Sequence, residues 1–185
     1  ADMAVCDGQP LGLDLDAGSN SCGILSCSDQ LKNTLSTPWV KNSTSKKGAT
    51  SNLSLTRPKQ RHNLPVYYNL SQLLEMSVYL SYMGRIGLRR IAELCYKKTS
   101  YLKQEINKLS DYSILNQGPT FNEFLMSTPL PADELLERLL KHDIIGGINI
   151  NRFYSGLTNG VLVSVTEKRS QIELDYFIKM LRKVS

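Results

Sequence analysis

A chain of 185 residues, 41% apolar and 21% charged, is long enough for one globular domain or for one domain and a small extra. No stretch approaches the length of a membrane span, and the four cysteines, Cys6, Cys22, Cys27 and Cys95, have the spacing of neither a zinc knuckle nor a C-x-x-C redox pair, so free thiols in a reducing compartment are expected. The formal charge of +5 is local: between Asp29 and Glu75 there is no acidic residue, whereas Lys32, Lys41, Lys46, Lys47, Arg57, Lys59 and Arg61 all fall there.

Along the chain, Ala1 to Cys6 has no positive n-region, apolar h-region or small-residue cleavage site, so neither a signal peptide nor an anchor is expected. Cys22-Gly23-Ile24-Leu25-Ser26-Cys27 reads as a brief buried strand, the tail of a sheet begun elsewhere. Ser36 to Leu64 is rich in Ser, Thr, Asn, Lys and Pro without a usable period and is expected to be irregular, with Trp39 as its large apolar anchor. The basic residues there read first as a solvated loop, and secondly as a surface for phosphates or an acidic partner. The N-x-S/T triplets at Asn42, Asn52 and Asn69 matter only in a secreted protein.

From Leu70 the pattern turns helical, through Leu73, Leu74 and Val78 to Met83. After Gly84 it resumes, with Leu88, Cys95, Leu102 and Leu109 at heptad spacing and Ile91 and Ile106 between them, interrupted by Thr99. That stripe suits packing against a sheet. Strands are expected at Phe121 to Phe124, Ile144 to Ile150 and Val161 to Glu167. Pro131 to His142 forms the helix between the first two, with Asp133 and Glu134 near its positive end and Leu135, Leu136, Leu139 and Leu140 as its buried face. A last helix opens on Ser170 and Glu173, an S-x-x-E capping box, and turns Ile172, Tyr176, Phe177, Met180 and Leu181 inward. Strands with helices on one face make an α/β or α+β layer.

Chemistry is sparse. Asp14-x-Asp16-x-Gly18 has the alternating oxygens of a calcium loop, but Gly18, Ser19 and Leu25 stand where a ligand, the turn glycine and the bidentate glutamate belong. His62 and His142 have no Cys or carboxylate at ligand spacing, and His142 suits a helix C-terminus. Neither a phosphate-binding glycine loop nor a G-x-S-x-G nucleophile elbow occurs. Tyr67-Tyr68 has the form of a base-stacking pair, and equally of a packing feature.

Longer runs carry a resemblance. Val78-Tyr79-Leu80-Ser81-Tyr82-Met83-Gly84 and Gly87-Leu88-Arg89-Arg90-Ile91-Ala92-Glu93-Leu94 resemble a helix of the glycine-cleavage P-protein family, in its subunit 1 form. Gly118-Pro119-Thr120-Phe121-Asn122-Glu123-Phe124, Gly146-Gly147-Ile148, Arg152-Phe153-Tyr154 and Val163-Ser164-Val165-Thr166-Glu167-Lys168-Arg169 continue it in order. Gly8-Gln9-Pro10-Leu11-Gly12, Cys22-Gly23-Ile24 and Ala49-Thr50-Ser51-Asn52 are similar near the start. The resemblance is close from Val78 to Val184 and patchy before.

It implies a type I pyridoxal-phosphate-dependent transferase fold, of which this chain is expected to supply the end of the large domain and the whole α+β small domain. The implied division is 1–69 for the large-domain part with the basic stretch, 70–110 for long connecting helices and 111–185 for the small domain. The implied activity is glycine decarboxylation in the glycine cleavage system, with transfer of the aminomethyl group to the lipoylated H-protein. In the catalytic subunit 2 a lysine holds pyridoxal phosphate as a Schiff base; Gln9 stands near the equivalent position here, and an amide cannot form that imine. The cofactor is therefore expected on the partner subunit, the isolated chain is expected to be inactive, and no catalytic, cofactor-binding or metal residue is carried over.

The sequence departs from the family where Gly18-Ser19-Asn20 replaces Gly-Gly-Pro, where Ser28 to Lys47 is shortened, and where an insertion after Asn52 carries Arg57 to Tyr68. The chain is accordingly read as a truncated or divergent C-terminal portion of subunit 1. The alternative is a catalytically dead interaction module whose basic stretch, Lys41 to Arg61, docks an acidic protein or nucleic acid. The subunit 1 likeness implies a cytoplasmic location, with the mitochondrial matrix as the alternative, and neither membrane nor nucleic acid is the expected partner.

Overall fold

The computed structural model describes residues 1–13, 22–31, 39–44, 51–56, 70–116, 118–157 and 159–184, without the side chains of 39–44 and 51–56. They belong to two compact units, residues 1–84 and 85–185.

In the first unit, β1 (Met3–Asp7) pairs antiparallel with β2 (Gly23–Cys27), Val5 lying opposite Leu25 and Cys6 opposite Ile24. The strand expected at Cys22 to Cys27 forms, but it is not buried. Val5 is 75% exposed and Leu25 44%, because among the described residues no second layer covers the apolar face of this two-stranded ribbon. β3 (Trp39–Thr44) and β4 (Ser51–Thr56) form a second antiparallel ribbon, with Val40 opposite Leu55 and Asn42 opposite Leu53. This corrects the expectation of irregular chain at Trp39–Thr44 and Ser51–Thr56; the rest of Ser36 to Leu64 lies outside the described residues. A ladder is made of backbone groups and needs no apolar period, so polar strands such as these leave little trace in the hydropathy pattern.

Helix α1 spans Leu70–Ile106, with one non-helical residue, Gly84. Its first part belongs to the first unit. The side it buries carries Gln72 and Met76, whereas Leu70, Leu74 and Val78 of the leucine-rich stripe are exposed.

In the second unit, β5 (Ser113–Ile114), β6 (Glu123–Ser127), β7 (Ile148–Asn149) and β8 (Gly160–Ser164) form a four-stranded antiparallel sheet in the order β5-β6-β8-β7. Helices α2 (Ala132–Leu140) and α3 (Gln171–Val184) pack with the rest of α1 against one face of it. Alternation along the strands sends Phe124 and Met126 of β6 and Val161 and Val163 of β8 to that face. There they meet Leu102 and Ile106 of α1, Leu135 and Leu139 of α2, and Leu174, Phe177 and Leu181 of α3 in one continuous core. Burying such side chains is worth about 1.5–3 kcal/mol each, which makes this core the main source of stability in the unit.

Several expectations are corrected by this sheet. The run Ile144 to Ile150 supplies only the short β7 before a 3-10 turn at Ile150–Arg152, whose Asn149 side chain accepts the Asn151 N–H at 2.9 Å. Pro131 is the N-cap of α2 rather than a first-turn residue, and Leu140 lies 60% exposed, outside the buried stripe of Ala132, Leu135 and Leu139. In α3, Ile172 is 80% exposed and Tyr176 43%. The inward stripe at helical spacing is Leu174, Phe177, Ile178, Leu181 and Val184, and Ile172 and Tyr176 sit beside it.

Candidate functional site

The resemblance directs attention to the turn after β1. Asp7 ends the strand and its Oδ1 accepts the Gln9 N–H at 2.9 Å, an Asx turn that starts the chain back on itself. Leu11 N–H then donates to Gly8 O at 2.8 Å and Leu13 N–H to Gln9 O at 3.3 Å, while Gly8 N–H donates to Cys22 O at 2.6 Å. Helix α1 presses on this turn from one side. A Cβ on Gly8 would lie 2.6 Å from Cys22 O and 2.8 Å from Met76 Sδ; one on Gly12, whose φ is +92°, would lie 2.6 Å from the Tyr79 side chain. Both positions therefore require glycine, the first for close approach and the second also for its backbone angles.

Gln9 sits between these glycines, half-buried, with both its backbone N–H and its carbonyl used within the turn. The turn offers Asp7 and Gln9 as its polar side chains and no amine. A carbonyl cofactor is held covalently through a lysine, so the side chains of this turn do not fit that attachment. Two half-buried lysines of the second unit have partners of their own: Lys98 Nζ donates to the carbonyls of Glu167 and Arg169, and Lys103 Nζ donates to Thr120 Oγ1 at 3.1 Å.

The polar groups of the second unit hold it together. Cys95 Sγ, buried, donates to Glu167 Oε2 at 3.4 Å, and burial, reinforced by the Glu167 carboxylate, raises the thiol pKa. With Lys98 this ties the loop after β8 to α1. The loop then enters α3 through the expected capping box: Ser170 N–H donates to Glu173 Oε2 at 2.6 Å and Glu173 N–H to Ser170 Oγ at 3.2 Å. Hydrogen bonding of the Glu173 carboxylate by Ser170, its backbone N–H first, with Arg169 beside it, lowers the Glu173 pKa. Asp133 is lowered by hydrogen bonds from Asn149 and from Arg152, the latter 3.0 Å away. Tyr101 donates to Asp175 Oδ1 at 2.5 Å, which raises its phenol pKa.

Each shifted group thus has a structural partner, and none is paired with a second group in the manner of an acid–base dyad or an activated nucleophile. A cleft of about 490 Å³ lies between the loop from His142 to Gly146 and the start of α3, with Val163, Leu174 and Phe177 as floor and Arg169 and Glu173 at the rim. Arg169 is bonded to Glu173 at 3.1 Å, so the rim charges neutralise each other. Among the described residues there is no group of three or more His, Cys, Asp or Glu able to hold a metal ion, and no helix long and apolar enough to cross a membrane. Asp14, Asp16, the Gly18-Ser19-Asn20 departure, His62 and Tyr67-Tyr68 lie outside the described residues, as does most of the basic stretch.

Sequence inspection missed the clamp of Met76 and Tyr79 on the turn. Its signal was present: two glycines four apart after an aspartate, and a Met and a Tyr one helical step apart.

Comparison with known proteins matches residues 1–181 to the family model "Glycine cleavage system P-protein". A probable glycine dehydrogenase (decarboxylating) subunit 1 of Chlorobium limicola is 34% identical over 98% of this chain and 42% of its own length. The protein of the same description in Desulfitobacterium hafniense is 33% identical over 96% of this chain and 42% of its own. The chain therefore spans less than half the length of these relatives. Among solved structures, an inhibitor-bound glycine decarboxylase (P-protein) of the glycine cleavage system superposes on all of this chain and 44% of its own, with a TM-score of 0.75 and 23% identity. A sphingosine-1-phosphate lyase of Burkholderia pseudomallei superposes on 98% of this chain and 37% of its own, with a TM-score of 0.63 and 11% identity. The fold is thus the α/β fold of the type I pyridoxal-phosphate-dependent transferases. Because the P-protein model matches residues 1–181 of its 185, the chain belongs to the glycine cleavage system P-protein family.

Proposed function

We propose that this chain acts as the portion of glycine decarboxylase that carries no cofactor lysine, working with a catalytic P-protein subunit 2 that holds pyridoxal phosphate. The complete enzyme would decarboxylate glycine and pass the aminomethyl group to the lipoylated H-protein. What supports this is the turn at Gln9: its glycines, its Asx bond and its helix clamp make a shaped backbone feature, and the residue that the resemblance sets near the lysine position is an amide, which forms no imine.

On this proposal the chain's own residues contribute shape. Gly8, Gly12, Met76 and Tyr79 hold the turn, and the second unit offers a layer built on one continuous core. A cytoplasmic location is part of the proposal. The competing idea, a basic interaction module, has no supporting observation, since of the stretch from Lys41 to Arg61 only the backbone of two strands is described.

The test is reconstitution. The chain alone, supplied with pyridoxal phosphate, should exchange no label between bicarbonate and glycine; added to purified subunit 2 and lipoylated H-protein, it should co-purify with subunit 2 and raise the exchange rate. Exchange by the isolated chain, or no association with subunit 2 together with salt-sensitive binding to polyanions, would overturn the proposal.

A further inference from the structure

Sulfur-bearing side chains come together at the foot of the Gln9 turn, within the first unit. In the antiparallel pairing of β1 and β2, Cys6 lies opposite Ile24, and the ladder runs one step past the strands, where Gly8 N–H donates to Cys22 O at 2.6 Å. Alternation therefore puts Cys6, Gly8, Cys22 and Ile24 on one face of the ribbon, with Cys6 diagonal to Cys22. Gly8, opposite Cys22, carries no side chain to separate the two thiols. The space over Gly8 belongs to Met76 of α1: a Cβ built there would lie 2.8 Å from Met76 Sδ and 2.9 Å from its Cε. Both cysteines are free; Cys6 is exposed and Cys22 half-buried, so the group opens to solvent on one side, while Met76 is buried on the other.

The spacing suits an ion rather than a disulfide. Diagonal neighbours stand about 7–8 Å apart, beyond the usual Cα separation of a disulfide, whereas an ion bonded to each sulfur at about 2.3 Å spans such a gap. Cys22 Sγ makes a 4.0 Å contact with Gly23 O, a weak bond that a metal ion displaces at little cost. Two thiols and a thioether are soft ligands that select soft cations; magnesium and calcium call for oxygen, and a structural zinc calls for a fourth donor. We propose that Cys6, Cys22 and Met76 form a three-sulfur site for a soft monovalent metal ion of the copper(I) class. On binding, each thiol gives its proton to solvent as its sulfur bonds the metal, the thioether gives a lone pair, and no electron is transferred. The ion ties β1, β2 and α1 together at the base of the turn. Nothing in this depends on the role proposed for the chain in glycine decarboxylation.

The test is a titration of the full chain, reduced and free of oxygen, with copper(I) in competition with bicinchoninate, whose coloured complex reports the copper left over. The expected result is one ion per chain, with sulfur as its nearest neighbour in X-ray absorption. Cys6→Ser, Cys22→Ser and Met76→Leu should each weaken binding at least about tenfold, the least that loss of even an outer partner costs a metal site, whereas Cys27→Ser and Cys95→Ser should leave it unchanged. Met76→Leu conserves side-chain volume, so its effect reports the sulfur and not the packing. Equal losses in all four serine variants, or unchanged affinity of the Met76→Leu protein, overturn the site. Should a ligand variant fail to fold, alkylation of the wild-type chain decides: copper(I) should shield Cys6 and Cys22 from iodoacetamide and leave Cys27 reactive, and equal shielding of Cys27 overturns the site.

Discussion

Gly12 shows how much of this molecule is decided by single atoms. At φ +92° and with the Tyr79 ring 2.6 Å from where a Cβ would be, Gly12→Ala forces both a strained backbone and a displaced helix. It is expected to cost about 1–3 kcal/mol, read as a lowered urea midpoint with unchanged slope. Carboxylates act at the same scale. Glu173 and Asp133 both have pKa values below the ordinary range, Glu173 first through the bonds from Ser170 and Asp133 first through Asn149. A depressed native pKa means that the unfolded chain takes up the proton first. Their contribution is thus full above the ordinary carboxylate range and is lost as the pH falls through the lower native values. Urea midpoints measured from neutral to acid pH should fall in that window, and the Glu173→Gln protein should fall less.

At the scale of elements, helix ends and the core make separate demands. Ser170→Ala removes the hydroxyl that accepts the Glu173 N–H and is expected to cost about 1 kcal/mol, seen as a lower melting temperature. Leu139→Ala or Leu181→Ala, each at 0% exposure in the core, is expected to cost about 2–5 kcal/mol by opening a cavity. The helix that starts at Leu70, the break at Gly84 and the Ser170 cap were legible because each rests on local chemistry: a period, a glycine, an S-x-x-E spacing. The exposure of Ile172, Tyr176 and Leu140 was not, because a helix wheel gives the apolar arc but not which flank the sheet covers. Nor were the ribbon of β3 and β4 and the short β5, whose pairing depends on partners distant in sequence.

At the scale of the whole molecule, the fold class was legible from ordered motifs spread over the chain, which no single motif would have carried. The candidate site was legible in part. Gln9 stood out in the sequence through the family resemblance, but the clamp of Met76 and Tyr79 that shapes its turn needed three dimensions. The shifted groups of the second unit are each tied to a structural partner. The central claim is that the cofactor amine comes from the partner and not from this chain. Borohydride reduction of the complex with subunit 2 and stoichiometric pyridoxal phosphate, followed by peptide mapping, tests it most directly. The account predicts a reduced pyridoxyl label on a lysine of subunit 2 and none on this chain; a label at unit stoichiometry on a lysine of this chain would contradict it.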